Sequence, residues 1–158
     1  MQKEQWDRWL VEADSEQELA PEDYDYAAAK MSIRALQRKY RESLPSYSFR
    51  FSSGEVYQDG TALTDGRVCA VGNEETLAWV LVSNFGALAT ISECADAELL
   101  NELRKVLVSA GYKYIDYDYL SEKIYNGLCK RLVGLNCVNR FFSIVPEFND
   151  HGRQGDDR

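Results

Sequence analysis

Trp6, Trp9, Leu10 and Ala13 recur at i, i+3, i+4 and i+7, with Lys3, Glu4, Asp7, Arg8 and Glu12 around them. That spacing gathers apolar side chains on one side of a helix and predicts one over 3–13. Ser15 and Glu18 can form a capping box, but Pro21 follows, so 14–21 reads as a junction. A second helix is predicted from Pro21 to Ser43, closed where Leu44 precedes Pro45. Tyr24, Ala27, Ala28, Met31 and Ala35 form its expected face, widened by Ile33, Leu36 and Tyr40.

From Ser46 the period changes to two. Tyr47, Phe49 and Phe51 alternate with Ser48 and Arg50, as in a half-exposed strand. Further strands are expected at 55–58, 67–71, 76–83 and 87–92. The turns between them are predicted at Ser53-Gly54, Asp59-Gly60, Asp65-Gly66, Gly72-Asn73 and Asn84-Phe85-Gly86. Leu77, Trp79 and Leu81 alternate with Ala78, Val80 and Val82, so neither side of that strand is polar, which predicts a central strand covered on both faces. Leu99, Leu100, Leu103, Val106 and Leu107 make the stripe of a helix over 96–110, with Gly111 as its left-handed stop. A strand at 112–115, a helix carrying Tyr117, Leu120 and Ile124, and a last strand at 138–145 complete the pattern. Consecutive strands with short turns predict an α+β domain. Its sheet is expected to be largely antiparallel, with five to seven strands packed by two N-terminal helices and one central amphipathic helix. Residues 1–150 form this single domain, and the Gly-, Asp- and Arg-rich 151–158 reads as a disordered tail.

Composition narrows the function. Of 158 residues, 26 are Asp or Glu and 18 are Lys or Arg, a formal charge of −8. Such a balance opposes direct nucleic-acid binding, because phosphates are repelled. No apolar run approaches the ~20 residues needed to cross a bilayer, and the N-terminus lacks a signal-peptide pattern, so a cytoplasmic, non-membrane protein is expected. Cys69, Cys94, Cys129 and Cys137 are irregularly spaced, and His151 is the only histidine. Buried reduced thiols are therefore expected in preference to a metal site, and no cofactor is expected. A serine nucleophile lacks a base outside the tail, and phosphate-binding glycine loops are missing, so no catalytic residue is assigned. Arg34, Arg38 and Arg41 share one helical face interspersed with acids, which reads as a solvated or internally paired surface.

The chemistry that remains is acidic and aromatic. Five of the ten tyrosines lie between Tyr112 and Tyr125, beside Asp116, Asp118 and Glu122. Tyrosine supplies a large rigid contact with a hydrogen-bonding tip, and neighbouring carboxylates steer a basic partner. Tyr112, Asp116, Tyr117, Asp118, Tyr119 and Glu122 are therefore the candidate partner-binding residues. The largest acidic excess lies elsewhere, with a net charge of −7 over 51–100. Glu55, Asp59, Asp65, Glu74 and Glu75 on the expected sheet turns, extending into Glu93, Asp96 and Glu98, make a rival surface.

Over Leu81 to Phe142 the chain carries Asn84-Phe85-Gly86, Leu88-Ala89-Thr90, Gly111-Tyr112-Lys113-Tyr114-Ile115, Tyr125-Asn126-Gly127 and Arg140-Phe141-Phe142. This pattern resembles small bacterial immunity proteins of polymorphic-toxin and contact-dependent-inhibition systems. The resemblance implies a non-catalytic protein that binds and neutralises a cognate toxin. The acidic surface, read separately, suits a basic toxin. A nucleic-acid mimic or phage-type inhibitor is the alternative expectation, followed by a carboxylate-dependent hydrolase and an adaptor module.

Overall fold

The computed structural model describes residues 2–51 and 61–143. The strand predicted at 55–58, the turns before and after it, the end of the last predicted strand and the tail lie outside them. Helices α1 (Gln2–Ala13) and α2 (Tyr26–Ser43) precede strands β1 (Tyr47–Phe51), β2 (Ala62–Ala70), β3 (Ala78–Ser83) and β4 (Leu88–Ser92). Helix α3 (Ala97–Ser109), strand β5 (Lys113–Tyr114), helix α4 (Tyr117–Glu122), a 3₁₀ turn (Lys130–Leu132) and helix α5 (Cys137–Phe141) follow. The five strands lie in chain order, antiparallel except for the parallel β4–β5 pair. The architecture is the expected α+β with a largely antiparallel sheet.

The sheet is covered on both faces. Val80 and Val82 of β3 join Ile33, Leu36 and Tyr40 of α2 and Leu103 and Leu107 of α3 in one apolar cluster. Leu81 turns the other way, into a cluster built from Trp6 and Leu10 of α1, Leu120 of α4 and Phe141 of α5. The side-chain period of two therefore feeds two cores from one strand, as its all-apolar sequence requires. The two N-terminal helices lie on opposite faces.

Five local expectations are corrected. Helix α2 begins at Tyr26, not Pro21, because the Asp25 carboxylate caps it by accepting from the Ala28 amide at 3.1 Å. Its buried stripe is Ile33, Leu36 and Tyr40, whereas Ala27, Ala28, Met31 and Ala35 are exposed. Ile33, Leu36 and Tyr40 recur at i, i+3 and i+7 and so share the one side of α2 that meets the sheet, while Met31 falls on the opposite side. Asp65-Gly66 is not a turn but the middle of β2, opposite Phe51 and Val80. A Cβ on Gly66 would stand 2.4 Å from the Phe51 ring, so glycine here makes room for an aromatic. The residues from Val138 form α5 instead of a strand. Asn136 caps that helix by accepting from the Asn139 amide at 2.8 Å, which commits the chain to a helical turn. Helix α4 ends at Glu122, and Ile124 is exposed in a bridge with Asn136.

Helix α3 keeps its expected limits. Asp96 accepts from the Glu98 and Leu99 amides at its start, and Gly111 adopts φ +98° just past its end. Cys69, Cys129 and Cys137 are buried and Cys94 is half-buried, all as free thiols.

At the N-terminal junction a buried arginine holds the chain. Arg140, fully buried, donates from Nη1 to the Glu18 carbonyl at 2.8 Å. Its Nη2 donates to the Ser15 and Gln17 carbonyls at 3.0 Å and to Asp14 Oδ1 at 3.1 Å. The guanidinium carbon lies 4.5 Å from the ring centre of Phe85, 5.0 Å from Tyr125 and 5.1 Å from Phe141. Planarity lets one cation serve several acceptors while stacking on aromatic faces. The Asp14 carboxylate also receives the Tyr125 hydroxyl and the Leu128 amide, both at 2.8 Å.

Candidate functional site

Strand direction decides which acids meet. Ser92, the last residue of β4, pairs with Trp79 near the start of β3, and β5 runs parallel to β4. Glu93, the β2–β3 hairpin with exposed Glu74 and Glu75, and Asp116 therefore leave the sheet at one common end. With strands ~4.8 Å apart, the hairpin lies roughly 10–14 Å from the end of β5. Of the rival acidic surface, Glu74, Glu75 and Glu93 thus share this rim with Asp116, whereas Asp65 lies within β2 and Glu55 and Asp59 fall outside the described residues. The gap between the hairpin and β5 exceeds the Debye length of about 8 Å at physiological salt, so the hairpin acids and Asp116 act largely independently there and jointly at low salt.

Beside this rim an open cleft of about 460 Å³ runs between α1, α4 and the end of β4. Five of the six candidate residues line it: Asp116, Tyr117, Asp118, Tyr119 and Glu122. Two walls come from distant sequence, with Lys3 and Trp6 from α1 and Glu93 and Cys94 from the β4–α3 link. Four carboxylates, those of Glu93, Asp116, Asp118 and Glu122, thus line the same cleft as Lys3. Tyr112 stands apart. It precedes β5 where Asp116 follows it, and it lines a separate cavity of about 290 Å³ at the opposite end of the sheet, with Tyr24, Ser83 and Asn84.

The cleft side chains are held from below. The Tyr119 hydroxyl donates to Asp7 Oδ1, which also pairs with Lys123 Nζ at 3.1 Å. The Tyr119 ring packs on Trp6 with centroids 5.1 Å apart. Partial burial, followed by the hydrogen bond to the Asp7 carboxylate, pushes its phenol up to about 12. Burial opposes the ionisation of Asp7, but the bonds from Tyr119 and Lys123 leave its pKa below the ordinary value. Tyr114 sits beneath, its phenol raised by burial and by the nearby Asp116 carboxylate, to which it is hydrogen-bonded. Burial likewise raises the Cys94 thiol, whose Sγ lies 3.4 Å from the Asp96 carbonyl.

Glu93 has φ +58°, a left-handed backbone that disfavours any residue with a Cβ. Glycine would relieve that conformation at a cost of one rim carboxylate. The sequence puts Glu93 on the rival acidic surface and leaves the α1 wall out of the candidate residues, yet the fold brings both to this cleft. Nothing local marks Lys3 or Trp6 as cleft residues.

Among the described residues no group of three or more His, Cys, Asp or Glu side chains converges as metal ligands. No helix among them is long and apolar enough to cross a membrane. Comparisons with protein-family models, curated proteins and solved structures found no match to the chain.

Proposed function

We propose that this chain is an immunity-type protein of the bacterial cytoplasm, which neutralises a cognate basic toxin by stoichiometric binding without chemistry of its own. The observation that carries the reading is the convergence of Asp116, Tyr117, Asp118, Tyr119 and Glu122 on one open cleft with Glu93 on its rim. Rigid aromatic walls supply contact area at low entropic cost, and the carboxylates accelerate capture of a cationic surface. Acidic residues of the β2–β3 hairpin extend the attractive field along the same end of the sheet. Such steering raises association rates by roughly 10–10³ at low salt.

The test is titration of the protein encoded by the neighbouring gene, with its toxicity as the readout. Full protection at a one-to-one ratio, lost on combining Asp116→Lys, Asp118→Lys and Glu122→Lys in a variant that keeps the native circular dichroism spectrum, is expected. Protection at far below one equivalent would mean turnover and overturn the reading. Protection untouched by the triple substitution would remove the cleft from the interface.

A further inference from the structure

We propose that the cleft is a receptor for one lysine or arginine side chain of the partner, presented on a peptide segment, and that Lys3 of this chain is its resident competitor. The inference deepens the protein-capture reading and rests on it.

Lys3 Nζ lies 6.0 Å from the centre of the Tyr119 ring, the reach at which an ammonium is attracted to an aromatic face. Lys123 approaches the same ring at 5.8 Å, but Asp7 ties it down from outside the cleft wall. Lys3 is exposed in the first turn of α1, so its side chain can swing out at little cost. Its position shows what the tyrosine face and the surrounding carboxylates accommodate: an elongated organic cation.

A second observation points to what accompanies that cation. Trp6 forms part of the cleft wall and is 7% exposed, yet its indole Nε1–H has no acceptor. A buried donor left unmade costs about 1–3 kcal/mol, which a ligand oxygen would recover once a small turn of the indole brings Nε1 to the cleft. The carboxylates only accept, the ring faces attract positive charge, and the indole only donates. A cationic side chain joined to a peptide carbonyl answers all three. A metal ion answers fewer, since the acids are spread around the rim instead of gathered as ligands. A volume of about 460 Å³ falls within the usual range for small-ligand pockets.

Displacement gives the proposal a distinctive signature: removing a positive charge from this protein should strengthen its hold on a cation. The probe is acetyl-arginine N-methylamide, with acetyl-glutamine N-methylamide as its neutral counterpart, followed on ¹⁵N-labelled full-length protein. The readout is the indole Nε1–H cross-peak of Trp6, one of only three tryptophans and assignable through Trp6→Phe. A saturable downfield movement is expected with the arginine probe alone. Lys3→Ala should tighten binding about threefold to tenfold. Asp118→Asn combined with Glu122→Gln should weaken it at least threefold. Lys105→Ala, which removes an exposed charge on α3, should leave it unchanged and so separates local displacement from net charge.

An unmoved cross-peak, an equal response to the neutral probe, or no difference between Lys3→Ala and Lys105→Ala would overturn the proposal. Capture of the cognate toxin with an unmoved Trp6 cross-peak would sink the side-chain receptor and leave protein capture standing. A responsive cross-peak without toxin capture would do the reverse.

Discussion

Replacing Arg140 with methionine removes the only buried cation tying the 14–18 junction to the C-terminal elements among the described residues. The Asp14 and Arg140 side chains are 6% and 0% exposed, so the pair is out of water. After the substitution Asp14 keeps the Tyr125 hydroxyl and the Leu128 amide, but its charge loses its counter-ion. Breaking a buried pair from one side costs about 3–5 kcal/mol. The carbonyls of Ser15, Gln17 and Glu18 also lose a charged donor, each bond contributing roughly 1.5 kcal/mol at the low end because these residues are partly wet. Methionine restores packing against Phe85, Tyr125 and Phe141, and the Arg140 Nε–H without an acceptor disappears. The carbonyl losses overlap with the one-sided loss of the pair and are not added to it, so the prediction stays at about 3–5 kcal/mol, a large share of an ordinary domain's stability. With a urea m-value near 2 kcal/mol/M, the unfolding midpoint by far-ultraviolet circular dichroism should fall by about 2 M. Arg140→Lys should recover only part of this, because one ammonium cannot reproduce a planar fork with four acceptors. A cycle with Asp14→Asn should show coupling of about 1–3 kcal/mol. A loss below about 1 kcal/mol for Arg140→Met would refute the claim that this residue holds the junction.

Glu93→Gly should raise the unfolding midpoint by up to ~1 kcal/mol in equivalent stability by relieving the left-handed backbone, while weakening toxin capture; weaker stability and unchanged capture would remove Glu93 from the rim. Burial and carboxylate neighbours raise several phenols, with Tyr112 and Tyr119 at about 12 and the Cys137 thiol at about 11. A raised native pKa means stability is fully present below the unfolded value and is lost as pH climbs through the native one. Urea midpoints should therefore fall between pH 9 and 12, and a midpoint that holds across that window would contradict the shifts. A thiol reagent at pH 8 should modify Cys94 alone in the native protein, and slowly because burial raises its thiol, with Cys69, Cys129 and Cys137 reacting only on unfolding. Rapid modification of more than one thiol would show that the second core opens locally. Gly66→Ala should cost about 1–3 kcal/mol by urea unfolding, and Phe51→Leu in the same chain should recover part of it; a neutral Gly66→Ala would mean that the ring moves aside freely.

Long, regular elements were legible in the sequence because a single period governs them. The stripe of α3 and its Gly111 stop could be read directly. So could the two-sided burial of β3, since an all-apolar strand has no polar face to leave in water. Helix α5 escaped because five residues are too few to show a period of 3.6, and Val138 followed by Phe142 resembles a strand. Asp65-Gly66 misled because the reason for its glycine, the Phe51 ring, lies on another strand. The cleft was half legible. Asp116 to Glu122 is one stretch of chain, but Lys3, Trp6 and Glu93 reach it only through tertiary folding. Tyr112 belongs to the same stretch of tyrosines, yet β5 lies between it and Asp116, and a strand carries its two ends to opposite rims.

The second core joins the first residues of the chain to nearly the last ones described, since Trp6 and Leu10 pack with Cys129, Phe141 and Phe142. During synthesis α1 emerges ahead of the other described elements, and most of the cluster it buries against, from Ile115 to Phe142, follows more than a hundred residues later. The α2 and α3 face of the sheet depends on nearer neighbours and can consolidate earlier. Closing the long loop between Asp14 and Arg140 then comes late and carries Lys3 and Trp6 into the cleft wall. The cleft is thereby completed only when folding is, so an unfinished or truncated chain would offer the acids of α4 without the wall that shapes them.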